Sequence, residues 1–136
     1  MTKSILRIRS YMTASPHSIG VEQPFSAAHK MMRELRIRHL PVLAGGRLLG
    51  IVSERDLHIV ETLKDVDPNV VTVEEAMTSD VHCVAPDAPL DEVAREMAEH
   101  KYGSTVVMAG AAVVGIFTTV DACRALAELL HERAKS

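Results

Sequence analysis

Ser53 and Asp56 stand three positions apart in GIVSERDL, residues 50–57, and Thr118 and Asp121 repeat that spacing in GIFTTVDA, residues 115–122. A hydroxyl followed by a carboxylate just after an apolar run supports two kinds of chemistry. One is structural. In a capping box the hydroxyl accepts from an N–H of the first helical turn, and the carboxylate reaches back to the N–H of the cap residue. The other is ligand binding. A helix start offers N–H groups and a positive dipole end to a phosphate, and the hydroxyl adds a donor. A carboxylate one turn in can hold the two hydroxyls of a ribose, as an acidic residue does in dinucleotide folds. Arg55 beside the first Asp either adds a charge-assisted phosphate contact or stays solvated, and Val120 stands at the matching place.

Other chemistries find less material. The seven histidines form no HxxxH or HExxH arrangement, and there is no CxxC. His82 and Cys83 are adjacent on an expected strand, so they point to opposite faces, and no metal site is expected. His29, His58 and His131 read as exposed helix residues and His39 as a strand-edge residue. GGRLLG at 45–50 has glycines at phosphate-loop spacing but continues into Ile51-Val52, so it belongs to a hairpin. GxSxG is absent, and Glu74-Glu75 and Asp91-Glu92 fit helix starts, where acidic side chains complement the dipole. An enzyme is not expected.

The bulk properties agree. Hydrophobic residues make up 47% and charged residues 24% of 136 residues, enough for a soluble domain with a real core. A net charge of −3 with aromatic content of 3% argues against nucleic-acid binding. No run approaches the length of a membrane helix, and MTKSILRIRSYM lacks the apolar stretch of a signal peptide, so the expected location is the cytoplasm. Cys83 and Cys123 sit among apolar neighbours and are expected as buried thiols, a disulfide between them being the alternative.

The two phrases lie 115 − 50 = 65 residues apart, and a shift of 65 aligns the chain without a gap from Met12 to Asp121. YMT at 11–13 falls on AMT at 76–78, and Pro24 falls on Pro89. Phe25, Ala28, Met32 and Leu35 have the 3, 4, 3 spacing of an amphipathic helix, repeated by Leu90, Val93, Met97 and His100. VLAGGRLLGIV and VVMAGAAVVGIF then read as hairpins, and helices are expected from about Glu54 and Thr119. Leu126, Leu129 and Leu130 stripe the last helix and are expected in the core, with a dimer contact as the alternative. The expectation is an α/β (α+β) fold of two pseudo-twofold-related β-α-β-β-α repeats packed sheet to sheet. Repeat 1 would span 10–64, a linker 65–72 and repeat 2 residues 73–134, within one module of 1–136.

With YMT and AMT at the repeat starts, HLPV at 39–42 and Gly-h-h-[ST]-x-x-Asp at 50–56 and 115–121 (h, apolar), the chain resembles a tandem CBS-domain pair, or Bateman module. The resemblance covers about 110 of the 136 residues. It implies regulation by an adenosine-containing ligand such as AMP, ADP, ATP, S-adenosylmethionine or NAD, with no obligatory cofactor. It implies that the hydroxyls of Ser53 and Thr118 lie near phosphate and that Asp56 and Asp121 hold ribose. It also implies mixed clefts. Ser18, Ile19, Ile37 and Arg38 would face adenine at the Asp121 site, and Cys83, Val84, Tyr102 and Gly103 at the Asp56 site. Repeat 2 departs from the pattern at Val106-Val107, in place of Pro-Val, and at Cys83, in place of a small hydroxyl residue. No effector domain accompanies the repeats in this sequence, so the expected output is through a homodimer or a separate regulated partner protein. The rival expectation is a ligand-independent interaction module in which both motifs are caps only.

Overall fold

The computed structural model describes residues 4–135, and a short 3₁₀ turn at Ile8–Ser10 precedes its first strand. The chain then runs through β1 (Thr13–Ala14), β2 (Ile19–Gly20), α1 (Phe25–Leu35), β3 (His39–Ala44), β4 (Arg47–Ser53), α2 (Glu54–Glu61) and α3 (Val73–Ala76). It continues through β5 (Cys83–Val84), α4 (Leu90–His100), β6 (Ser104–Ala109), β7 (Ala112–Thr118) and α5 (Thr119–Lys135). Residues 16–81 form one compact unit, and residues 4–15 with 82–135 form the other. Compact unit and sequence repeat are therefore different partitions of the chain.

In the first unit β2 pairs parallel to β3, and β3 pairs antiparallel to β4. Gly45 and Gly46 turn that hairpin at φ of 57° and 81°, values that a side chain would resist. The expected helical stripe is buried at Phe25, Ala28 and Met32, which pack with Ile19, Leu40, Val42, Val52, Leu57 and Val73. Leu35, the fourth member of the stripe, is exposed, because α1 ends there and the chain turns away through Arg36 in the left-handed region. Pro24 caps α1 without a side-chain bond, and the opening N–H groups of Phe25 and Ser26 instead donate to the carbonyls of Val71 and Pro68. The segment between the repeats is thus an N-terminal cap for α1.

The other unit repeats this plan. Its sheet runs β1-β7-β6-β5, with β5 parallel to β6 and the other pairs antiparallel. Leu90, Val93 and Met97 of α4 pack with Ile8, Val107, Phe117 and Ala125. The Leu90 N–H donates to Leu6, the residue 65 positions before Val71, so the same capping device recurs. Both hairpins carry a register shift at matching places, between Val42 and Leu43 and between Val107 and Met108.

Three expectations change. The leucine stripe of α5 is largely outside the core: Leu129 packs against it, but Leu126 and Leu130 are 58% and 56% exposed. Both cysteines are exposed, Cys83 on the short β5 and Cys123 on the outer side of α5, so apolar neighbours in sequence were no guide to burial. His39 opens β3, the central strand of its sheet, rather than an edge strand.

Candidate functional site

The apolar strand β4 ends at Ser53, which stays extended at φ −114° and ψ 163° and becomes the cap of α2. Its Oγ accepts from the Asp56 N–H at 3.1 Å, while Asp56 Oδ2 accepts from the Ser53 N–H at 2.9 Å and the Ser53 hydroxyl at 3.0 Å. This is a complete capping box. At α5 the Thr118 Oγ1 accepts from the Asp121 N–H at 3.3 Å. Asp121 Oδ2 accepts from the Thr118 N–H at 2.9 Å and the Thr118 hydroxyl at 3.2 Å. The structural half of the dual reading is therefore realised at both helix heads.

A second loop serves each head. The Arg38 carbonyl accepts from the Glu54 N–H at 2.8 Å, and the Gly103 carbonyl accepts from the Thr119 N–H at 3.2 Å. Ile37-Arg38 and Tyr102-Gly103 are thereby fixed beside the helix start of their own unit. In each first turn one donor keeps no partner among the described residues, the Arg55 N–H at α2 and the Val120 N–H at α5. The Arg55 side chain is exposed. That first-turn N–H and the helix dipole still meet what a phosphate oxygen requires, whereas each hydroxyl proton is taken by its own carboxylate.

The motif glycine has a steric reason. A Cβ at Gly50 would lie 2.6 Å from Met77 Sδ and 2.7 Å from the Thr78 carbonyl oxygen, and one at Gly115 would collide with Met12 Sδ. Met12-Thr13 and Met77-Thr78 are the paired YMT and AMT motifs. Each strings a short bridge onto the motif strand of its unit, Thr13 opposite Ile116 and Thr78 opposite Ile51. The Met-Thr and Gly-h-h-[ST]-x-x-Asp motifs are therefore two halves of one packing unit.

Within residues 16–81 the structure gathers Ser53, Arg55 and Asp56 at the head of α2, with Ile37 and Arg38 beside it; Ile19 is buried on β2 and Ser18 precedes it. Within the other unit, Thr118 and Asp121 form the head of α5, with Tyr102 and Gly103 beside it, and Cys83 and Val84 form β5. Cys83 is exposed over much of its surface, yet neighbouring atoms still desolvate the thiolate and push the thiol above its ordinary range. That is the opposite of an activated nucleophile.

Sequence reasoning set the histidines aside and so missed one cluster. His82 Nε2 lies 2.8 Å from Glu96 Oε2 and its Nδ1 lies 2.8 Å from Oγ1 of the fully buried Thr105. Tyr102 stacks on both His82 and His100, with ring centroids 4.8 and 5.2 Å apart. The candidate Tyr102 is thus held between a strand, a helix and two imidazoles. No short-range motif could signal this, because the partners lie on β6, α4 and the loop before β5. A groove of about 300 Å³ along α4, lined by Val84, Glu92, Glu96 and Glu99 among others, contains none of the motif residues. Among the described residues no three His, Cys, Asp or Glu side chains gather as metal ligands, and no helix is long and apolar enough to cross a membrane.

Two small mixed sheets, each ending in a capped Gly-h-h-[ST]-x-x-Asp helix head, define a pair of CBS repeats. The chain belongs to the CBS-domain family, whose model matches residues 8–60 and again 64–128. It is 31% identical over 121 residues to hypoxic response protein 1 of Mycobacterium tuberculosis, covering 88% of this chain and 85% of that one. Its structure is similar to that of a putative acetoin utilization protein (AcuB) from Vibrio cholerae, at 34% identity and a TM-score of 0.88 over 98% of both chains. It is also similar to the CBS domain pair of protein MJ0100, solved in complex with 5′-methylthioadenosine and S-adenosyl-L-methionine. There the identity is 26% and the TM-score 0.80, over 92% of this chain and 98% of that one.

Proposed function

We propose that this chain is a regulatory module that senses an adenosine-containing ligand in the cytoplasm and transmits the signal through a homodimer or a partner protein. One observation carries the reading. At the head of α2 one carboxylate oxygen and a first-turn N–H, neither with a partner among the described residues, stand together, as a ribosyl phosphate requires. Its support is family membership and a 26%-identical pair that holds S-adenosylmethionine. On this reading Asp56 holds the ribose hydroxyls at the head of α2, beside Ser53 and Arg55. The ligand biases the arrangement of the repeats only as far as its affinity differs between arrangements.

The two closed capping boxes favour a second reading, an interaction module whose motifs are caps and nothing more. A thermal-shift titration with AMP, ADP, ATP, S-adenosylmethionine and NAD separates them. A ligand that binds only the folded state at a hundredfold excess over Kd adds about 2.7 kcal/mol of stability. A saturable rise with one of these ligands is expected, and a flat response to all at millimolar concentration leaves the interaction module standing.

A homodimer fits the exposed apolar residues of α2 and α5. Ile59 is 55% exposed and Leu126 and Leu130 are 58% and 56% exposed, apolar side chains that a second copy would cover. Light scattering on a sizing column is expected to give a dimer that a Leu126→Glu, Leu130→Glu variant converts to a monomer. A wild-type monomer at high micromolar concentration rejects the homodimer.

A further inference from the structure

The two motif carboxylates are not equally available. Asp121 is 4% exposed, and each of its oxygens has two donors. Oδ2 faces the N–H and hydroxyl of Thr118. Oδ1 accepts from the Thr13 hydroxyl at 3.0 Å and from Arg124 Nη1 at 3.2 Å. A carboxylate offers about four acceptor positions, so none is left for a ligand. Asp56 uses Oδ2 in the same way, but its Oδ1 has no partner among the described residues.

The cause lies in two positions of the repeat. Arg124 is matched by Ile59, which has no donor to offer. Thr13 is matched by Thr78, whose backbone makes the equivalent bridge to Ile51 but whose hydroxyl does not reach Asp56. A ribose diol donating two hydrogen bonds can therefore add to Asp56 as it stands, whereas at Asp121 it must first displace both Thr13 and Arg124. We propose that Asp121 is a structural tie that fastens the Thr13–Ala14 strand to α5, so that a ribosyl ligand is held at the Asp56 copy alone. This rests on the sensor reading for the ligand, and the tie itself does not.

Isothermal titration with 5′-AMP and with S-adenosylmethionine tests the division. The expected result is one molecule bound per chain, weakened by about tenfold or more in Asp56→Asn, the scale of a hydrogen bond to a charged group. Asp121→Asn is expected to lower Tm and to cost less affinity than Asp56→Asn. The Thr13→Val, Arg124→Ile double variant, which removes both side-chain donors from Asp121 Oδ1, is expected to bind a second molecule. Two molecules on the wild type, or equal losses in Asp56→Asn and Asp121→Asn, would overturn the division and leave the sensor reading intact. Should neither probe bind the wild type, the sensor reading and the single-site claim fall together. The tie is then decided by heat unfolding of Thr13→Val, Asp121→Asn and their combination. Non-additive Tm losses support it, since each variant breaks the same bond, and additive losses reject it. Thr13→Val alters the side chain of one exposed residue and keeps a folded protein available if Asp121→Asn fails to fold.

Discussion

The heads of α2 and α5 are written in the same phrase and share one backbone scaffold, yet they spend their side chains differently. Both have the capping box, the loop carbonyl on the first helical N–H and a methionine lying over the motif glycine. They diverge where the scaffold imposes nothing. An arginine or an isoleucine fits equally well on the sixth helical position past the hydroxyl, but only Arg124 closes on a carboxylate. Duplication preserves what the backbone needs and frees the rest to specialise. A motif that is intact in sequence is therefore not the same thing as a site that is open.

The sharpest way to break the equivalence is at the two glycines. In Gly50→Ala the new methyl meets a backbone carbonyl, that of Thr78, as well as the Met77 thioether, so the strand bridge itself must shift. In Gly115→Ala the nearest atoms all belong to the flexible Met12 side chain, which can rotate aside. Overpacking of this kind costs about 1–3 kcal/mol. Gly50→Ala is expected near the upper end and Gly115→Ala near or below the lower end, read by chemical denaturation. Equal losses would mean that the two methionine seats are equally tight.

That comparison also shows what could be read beforehand. The offset of 65, the helical stripes at Phe25 and Leu90 and the glycine turns placed nearly every element, because periodicity and turn chemistry are local. The two helix heads were legible for the same reason, since Ser53 and Asp56 act within a single turn. What the local pattern could not carry were partners distant in sequence. Thr13 meets Asp121 across 108 positions, and His82 meets Thr105 across 23. The pairing of Met12 with Gly115 and of Met77 with Gly50 was visible as two motifs but not as a contact, because the repeat suggests that each Met-Thr serves the copy it opens. The burial of the α5 leucines failed on similar grounds. A stripe reports that one face of a helix is apolar without saying what covers it.

The smallest expected difference between the units is one of pH. His39 stands where the other repeat has Ser104, and burial at the start of β3 lowers its pKa below the ordinary 6.5. The carboxylates of Asp56 and Glu54 pull the other way and Arg38 adds to the lowering, but burial dominates. A depressed histidine is neutral in the fold while the unfolded chain still takes up a proton. Stability is then complete above about pH 6.5 and declines as pH falls from there toward the folded-state value, where the loss levels off. Only a slight decline is expected, since the side chain is partly exposed. His39→Ser, which installs the residue of the other copy, is expected to flatten that limb of the Tm–pH curve and leave the alkaline side unchanged. A wild-type curve that stays level between pH 7 and pH 5, or one that the substitution does not alter, would show that the two carboxylates offset the burial and that His39 titrates as it does in the unfolded chain.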